Sequence, residues 1–320
     1  MLYRTITNNL LIVIFCAALG LSCAACNRTV VDGGQGPSFE AGSSPFEKAA
    51  IVGRLESDEI IESSGIAASR CQESLLWTHN DSGDGAYIFA MDERGKHLGT
   101  WKLENADNKD WEDISSYSDA SGNCFLIIGD IGNSRKDRRT EHKIYRLAEP
   151  TVQDVDRGSS RKAPGIIPRA DVLTFAYPDE AQDAETLMVH PASGDIYIVT
   201  KERNKPAGVY RLRPEFGSAP VKAERISDLT VPAIPNGFVT GGEISPDGSR
   251  LVICDYFAAY EFTLPPQNGG FEDVWKQKPV IIDLADRQQG EAIAYASDGK
   301  AVIATSEGKN QPLLRAARRE

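Results

Sequence analysis

The chain has 320 residues, of which 41% are hydrophobic and 25% are charged, and its formal net charge is −11. This composition is typical of a soluble globular protein with a sizeable core. The negative charge argues against nucleic acid or an anionic membrane surface as the main partner. It favours cations, cationic ligands and basic protein surfaces instead.

The N-terminus is predicted to be an export signal. Arg4 precedes the apolar segment "LLIVIFCAALGL" at 10–21, which is too short for a comfortable membrane span. Small residues follow this segment and end in "CAAC" at 23–26, which resembles the lipobox of bacterial lipoproteins with Cys26 as the lipidated residue. Cleavage near Ala24 or Ala25 without lipidation is the alternative. We therefore expect a lipoprotein of the cell envelope, facing the periplasm or the cell surface, with the lipid as its only membrane contact.

Three segments follow from this interpretation. Residues 1–26 form the signal peptide, and residues 27–47, rich in Gly, Ser and Pro, form a flexible tether. Residues 48–320 form a single folded domain, which we expect to be monomeric.

Five units of short apolar runs follow one another along this domain, roughly every 50–70 residues. The runs are rich in β-branched and aromatic residues and are separated by turns such as "SPDG" and "ASDG", which are strand and hairpin signals. Four antiparallel strands per unit predict the blades of an all-β propeller. The first runs of the units are "SSGIAASR" at 63, "WEDISSYS" at 111, "AETLMVHP" at 184, "GGEISPDG" at 241 and "GEAIAYAS" at 290.

The ends of the chain predict how the ring closes. The fifth unit lacks a fourth run, and "AIVGRLES" at 50–57 precedes the first unit without a place of its own. This strand would complete the fifth blade and remove two exposed sheet edges. The prediction is therefore five four-stranded blades closed by an N-terminal strand. The alternative is six blades, with degenerate strands in 149–170 and 231–240.

The repeats also carry a family resemblance over about residues 50–316. The stretch "SPDGSRLVICD" resembles the WD40-like propeller repeat of the TolB type. The stretch "GEAIAYASDGKAVIATSEGKNQPLLRA" is similar to the last repeat of phytase-like and esterase-like propellers. The order of "NDSG", "DWEDI", "GDIG" and "TKE" segments resembles that of exported bacterial propellers. The phytase-like resemblance implies an anionic substrate held against a bound metal.

Acidic residues recur at two positions of the repeat. In a blade the first strand lies nearest the axis and the second is antiparallel to it, so the start of the first and the end of the second lie on one face. Oxygen ligands in such numbers suit Ca²⁺, whereas the alternative is that each carboxylate accepts hydrogen bonds from neighbouring backbone amides. The candidate metal ligands are Glu112, Glu185, Glu291 and, one residue further along its unit, Glu243, together with Asp81, Asp130, Glu202, Asp255 and Glu307.

Other residues near this face are candidates for ligand binding or catalysis. The loops "NSRKDRRTEHK" and "RNKP" follow two of the second strands, and their cations would either hold an anionic ligand or neutralise the acids. Among the histidines, His79 is the candidate for an acid/base group because it precedes Asn80 and Asp81 at this face. A structural role is the alternative. The candidates for ligand binding are Trp111, which is first of all a packing residue, and Arg135, Lys201 and Arg203.

The folded part contains three cysteines, and export to an oxidising compartment permits disulfides. Cys71 and Cys124 fall in equivalent turns of neighbouring units, on the face opposite the acids. A disulfide between them requires Cα atoms within about 7 Å. Cys254 lies within an apolar strand and is predicted to be a buried free thiol.

Two functions fit these patterns. The favoured one is an exported, lipid-anchored propeller that binds a protein or small ligand on its acid-rimmed face, with Ca²⁺ as candidate cofactor. The alternative is a Ca²⁺-dependent hydrolase of phosphate esters, lactones or other esters, in which metal activates water. The sequence contains no G-x-S-x-G, P-loop or H-E-x-x-H motif that would indicate another chemistry.

Overall fold

The computed structural model describes residues 44–133, 138–217, 219–231, 238–266, 269–285, 287 and 289–319. The predicted signal peptide, its lipidation site Cys26 and most of the predicted tether lie outside these residues. No helix within them has the length and apolar character needed to cross a membrane.

Short strands are the predominant regular elements of the described chain. Short 3₁₀ helices cover Asp154–Gly158 and Phe271–Lys276. The strands are β1 (Ala50–Arg54), β2 (Ser63–Ala68), β3 (Leu75–Asn80), β4 (Tyr87–Asp92), β5 (His97–Leu103), β6 (Trp111–Ser118), β7 (Cys124–Asp130), β8 (His142–Ala148), β9 (Gly165–Ile167), β10 (Asp171–Ala176), β11 (Ala184–Val189), β12 (Ile196–Thr200), β13 (Ala207–Leu212), β14 (Val221–Lys222), β15 (Glu224–Leu229), β16 (Gly241–Ile244), β17 (Arg250–Cys254), β18 (Ala258–Thr263), β19 (Val280–Asp283), β20 (Gly290–Tyr295), β21 (Ala301–Ser306) and β22 (Pro312–Ala317).

These strands form five sheets arranged in a ring. The antiparallel orders are β2-β3-β4-β5, β6-β7-β8-β10, β11-β12-β13-β15, β16-β17-β18-β19 and β20-β21-β22-β1, which we number as blades one to five. The first strand of each blade contacts the first strand of the next, and β20 contacts β2. The prediction of a five-bladed all-β propeller is confirmed.

The predicted closing strand is also confirmed. β1 pairs antiparallel with β22, with Ala50 opposite Arg315, and so supplies the outer strand of blade five. The six-bladed alternative is wrong. Within 149–170, the strand β9 pairs parallel with β5 and extends blade one instead of starting a new blade. Residues 238–240 lead directly into β16, and 232–237 lie outside the described residues.

The core lies between neighbouring blades. Trp77, Trp111 and Tyr145 fill the space between blades one and two, and similar apolar layers separate the other blades. Both faces of most strands are therefore buried, which explains why they appear in the sequence as continuous apolar runs. Phe46 is buried between blades four and five and bridges to Arg318, so the fold extends upstream of residue 48.

A disulfide joins Cys71 to Cys124, with their Cα atoms 6.1 Å apart. It connects the turns after β2 and β6, and so ties blade one to blade two on one face of the disc. Cys254 is a buried free cysteine in β17.

Removal of this disulfide should destabilise the propeller. The bond spans 53 residues, and a crosslink closing a loop of that size stabilises by about 4 kcal/mol at most. We expect urea unfolding of the double variant Cys71→Ser/Cys124→Ser to have a lower midpoint than that of the wild type. Reductant should lower the wild-type midpoint and leave that of the variant unchanged. Equal midpoints for the oxidised wild type and the variant would contradict the prediction.

Candidate functional site: the acidic mouth of the propeller

Four of the five inner strands carry a β-bulge at the same position. The pairing register shifts at the start of β2, β6, β11 and β20, where one extra residue faces the second strand. A bulge redirects the side chain of the extra residue. The extra residues are Ser64, Glu112, Glu185 and Glu291. β16 pairs without such a shift.

The bulged glutamates meet further acids around the mouth of the ring. Carboxylate oxygens of Asp81, Asp110 and Glu112 all lie within 4.8 Å of one another. Glu112 also experiences the negative charge of Glu185 and Glu291. Glu291 is in turn hydrogen-bonded to Glu307, whose charge also acts on Asp81. We call this set the acidic cluster: Asp81, Asp110, Glu112, Glu185, Glu291 and Glu307.

Gly132 is required for this close approach. A Cβ atom at position 132 would lie 2.0 Å from Oε1 of Glu112 and 2.8 Å from Oδ2 of Asp110. The backbone N–H of Gly132 donates to the carbonyl of Asp110 at 3.2 Å. The second glycine of "GDIG" therefore leaves room for two carboxylates on one side of the cluster.

Lys201 is the cation that enters the cluster. Its Nζ lies 2.8 Å from Oε1 of Glu185 and 3.7 Å from Oε1 of Glu291. The ammonium also lies 4.9 Å from the ring centre of Phe238 and 5.4 Å from that of Tyr256. This residue was predicted to bind a ligand, and its contacts here neutralise part of the acidic cluster.

Burial and mutual repulsion disfavour ionisation of these carboxyl groups. Burial raises the pKa of Glu112 well above its usual value, and the negative charges of Glu185 and Asp81 raise it further. Burial also raises the pKa of Asp81 to about 6 and that of Glu185 to about 7. A cation placed among these groups would relieve the repulsion.

Two of the predicted second-strand acids are paired with cations outside the cluster. Oδ1 of Asp130 lies 2.5 Å from Nη1 of Arg139, and Oε1 of Glu202 lies 3.1 Å from Nζ of Lys205. The interpretation of loop cations as neutralising partners fits both pairs. Only Asp81 and Glu307 of the five second-strand acids lie in the acidic cluster.

Asp255 has a structural environment. Its Oδ1 accepts hydrogen bonds from the backbone N–H groups of Phe257 and Ala258 at 2.7 Å each. Its Oδ2 accepts a 2.6 Å bond from the hydroxyl of Tyr260. Both oxygens are therefore occupied by the turn that follows β17 and by β18.

Glu243 lies deeper in the ring than the bulged glutamates. Its Oε1 accepts a hydrogen bond from Nη2 of Arg70 at 3.1 Å, and its Oε2 accepts one from the backbone N–H of Tyr295 at 2.6 Å. β16 has no bulge, and Glu243 lies opposite Val252, three residues before Asp255, whereas Glu112 is the extra residue opposite the end of β7. It does not join the acidic cluster.

His79 and Trp111 are fully buried between blades one and two. Their rings meet edge to face at 5.7 Å, and Trp111 donates its indole N–H to the carbonyl of Asp107 at 3.1 Å. Burial lowers the pKa of His79 to about 4. Both residues pack beneath the acidic face and are not exposed on it.

An open cleft of about 800 Å³ lies beside the acidic cluster. Lys201 and Arg203 line it, and the guanidinium of Arg203 lies 5.5 Å from the ring centre of Phe238. Arg135 lies outside the described residues. The other lining residues are Asn133, Asp183, Glu202, Asn204 and Lys205.

Asp110 was not predicted as a site residue, although it is part of the closest carboxylate group. The signal was present, because an acid stands two residues before the bulged glutamate in both "DWE" at 110–112 and "DAE" at 183–185. Across a bulge, residues at this spacing are brought to the same side of the strand, whereas the tryptophan between them is buried.

Comparisons with known proteins show no family. No family model matches the chain, and no curated protein matches it. Among solved structures, it is similar to a nidogen/laminin complex, with 14% identity over 77% of this chain and 73% of that chain and a TM-score of 0.43. It is also similar to a luciferin-regenerating enzyme, with 9% identity over 82% of this chain and 94% of that chain and a TM-score of 0.44. These values are too low to indicate an activity.

The buried carboxyl of Glu243 should make stability fall as pH rises. Burial raises the pKa of Glu243 to about 7, although Arg70 and the Tyr295 amide act in the opposite direction. Between about pH 4.5 and pH 7 the folded state then binds more protons than the unfolded state, so the free energy of unfolding decreases by up to about 1.4 kcal/mol per pH unit. Glu243→Gln removes this titration while keeping a hydrogen-bond acceptor.

The measurement is urea unfolding of both proteins at several pH values across this window. We expect a shallower decline with pH for Glu243→Gln. Glu47→Gln, a change at an exposed carboxylate, should follow the wild type. Parallel profiles for wild type and Glu243→Gln would show that this carboxyl has an ordinary pKa in the folded protein.

Proposed function

We propose that the chain is an exported, lipid-anchored β-propeller that binds a protein or small ligand at its acidic mouth, with Ca²⁺ held at the Asp81–Asp110–Glu112 end of the acidic cluster. The observation that carries this proposal is the convergence of those three carboxylates, whose oxygens lie within 4.8 Å of one another.

The chemistry of the donors favours Ca²⁺ over other metals. The three residues offer only carboxylate oxygens, which suit hard cations, and Ca²⁺ accepts six to eight oxygen ligands in flexible geometry. Zinc usually takes histidine or cysteine ligands, and neither residue type is present in this group. The remaining glutamates supply negative charge around the ion without being required as ligands.

The proposed location is supported by the sequence and by the disulfide. The export signal and Cys26 lie outside the described residues, so they support the proposal only through their sequence pattern. The Cys71–Cys124 bond fits an oxidising compartment, because disulfides are rare in the cytosol. The cleft beside Lys201 offers a place for a ligand next to the cluster.

A Ca²⁺-dependent hydrolase is the second candidate, and the same cleft favours it. A phosphate ester, lactone or other ester bound there would meet the Lys201 ammonium, which contacts Glu185 of the acidic cluster. Ca²⁺, when bound, would polarise a substrate oxygen and activate water. Lys201 and Arg203 would orient an anionic group, as the phytase-like resemblance implies. The burial of His79 leaves the clustered carboxyls as the groups that would transfer protons.

Calcium should stabilise the protein through Glu112 and Asp110. For the chain from residue 27, millimolar Ca²⁺ at a hundredfold over its dissociation constant should raise the free energy of unfolding by about 2.7 kcal/mol relative to chelator. Thermal unfolding measures this as a higher Tm. In Glu112→Gln and Asp110→Asn the rise should be lost. In chelator Glu112→Gln should be more stable than the wild type, because it removes a buried carboxyl whose ionisation is disfavoured by burial and by the neighbouring acids.

Glu202→Gln is the matched control, since Glu202 lies on the same face but is paired with Lys205. It should keep the full response to Ca²⁺. An equal response in Glu112→Gln and Glu202→Gln would place the calcium effect elsewhere. No response in the wild type, after elemental analysis has excluded calcium that survives the chelator, would overturn the metal proposal.

A test for ester cleavage distinguishes the binding function from the hydrolase function. The hydrolase hypothesis expects Ca²⁺-dependent cleavage of phosphate esters or lactones, which Lys201→Met should impair mainly through a higher KM. A protein that responds to Ca²⁺ in unfolding but cleaves none of these esters supports the binding function.

A further inference from the structure

A second cavity lies on the face opposite the acidic mouth. It has a volume of about 510 Å³ and is bounded by the turn between β11 and β12 of blade three and by the 3₁₀ helix Phe271–Lys276 of blade four. This turn corresponds to the turns that carry Cys71 and Cys124 in blades one and two. Neither proposed function uses this cavity.

One wall of the cavity is aromatic. The ring of Phe271 lies 4.7 Å from His190 and 5.2 Å from Tyr197, measured between ring centres. Trp275 lies behind them, 6.0 Å from Tyr197, and is 5% exposed. Its indole N–H has no hydrogen-bond partner among the described residues. Aromatic rings of this kind attract cations through the negative charge of their faces.

More carboxylates than cations line the cavity. Arg211 is already paired with Glu272 and, at 2.5 Å, with Glu224. Lys276 is paired with Asp273 at 2.7 Å. The two cations that line the cavity are therefore engaged by neighbouring acids.

Asp195 lines the cavity and forms no ion pair within the part of the chain that the structure describes. Its negative charge acts on both Tyr197 and His190, so it lies close to the aromatic wall. Burial lowers the pKa of His190, although the charge of Asp195 acts in the opposite direction. A single carboxylate beside aromatic rings is the arrangement that recognises an organic ammonium ion.

We propose that this cavity binds an organic cation that carries a methylated ammonium group, with Asp195 as its counter-charge and the partly exposed ring of Phe271 as its aromatic contact. A metal ion fits less well, because two of the three lining carboxylates, Glu272 and Asp273, are already paired with cations. An anion would meet an excess of carboxylates. The cavity is separate from the acidic mouth, and its occupancy requires no calcium.

The test uses tetramethylammonium chloride as the probe and the indole N–H signal of Trp275 as the reporter. In ¹⁵N NMR spectra of the calcium-free wild type, with the signal assigned by Trp275→Phe, we expect a saturable shift at millimolar probe. Sodium chloride at equal ionic strength should not reproduce it. Asp195→Asn should weaken binding about fivefold, as expected for the loss of a contact of this strength.

Glu73→Gln is the matched control, because Glu73 is an exposed carboxylate in the corresponding turn of blade one and the substitution changes the net charge equally. It should leave the affinity unchanged. Tyr197→Phe keeps the ring and should also bind. A response to sodium chloride equal to that to the probe, or unchanged affinity in Asp195→Asn, would overturn the proposal. Chelator and Ca²⁺ should give the same titration, so failure here leaves the calcium proposal untouched.

Discussion

Two buried carboxylates hold the centre of the ring together, and the position of every blade depends on them. Asp113 of blade two accepts backbone N–H bonds from blades three and four, and Glu243 of blade four accepts bonds from blades five and one. Because inner strands of different blades do not share a sheet, side chains must bridge them, and a buried carboxyl that accepts hydrogen bonds from several blades does so. The donors are Leu187 and Gly242 for Asp113, and Tyr295 and Arg70 for Glu243.

The acidic cluster lies next to Asp113 and Glu243 in the ring, but most of its carboxyl groups face other acids instead of hydrogen-bond donors. Its carboxylates face one another with Lys201 as a shared counter-ion, whereas Asp113 and Glu243 face donors. In β6 the bulge separates the two sets, because the inserted Glu112 meets the acids of the cluster while Asp113 accepts backbone hydrogen bonds from Leu187 and Gly242. Groups that repel one another in the folded state lower its stability. Such an arrangement is common where binding, and not folding, has selected the residues.

The sequence was sufficient for the fold and for only part of the site. The five blades and the closing strand could be predicted because burial of both strand faces leaves a clear repeat of apolar runs. The bulges could not be predicted from the sequence. "GGE" at 241–243 and "GE" at 290–291 are similar in sequence, and only the pairing register shows that β20 has a bulge and β16 has none. Asp255 ends its strand as Asp81 does, yet a short turn supplies it with amide donors. Asp110 was missed because it precedes β6 and lies outside the two repeat positions at which the acids were seen to recur.

The pairing of β1 with β22 has a consequence for how the chain reaches this structure. Ala50 and Arg315 lie at opposite ends of the described chain. During synthesis β1 therefore leaves the ribosome before the other described strands, and its partner β22 leaves after them. Contacts of such long range make folding slow, and until they form, the open ring exposes sheet edges that can pair with other chains. Ring closure is therefore a late step. A chain that stops before residue 312 would keep four complete blades and still lack the final closing contact.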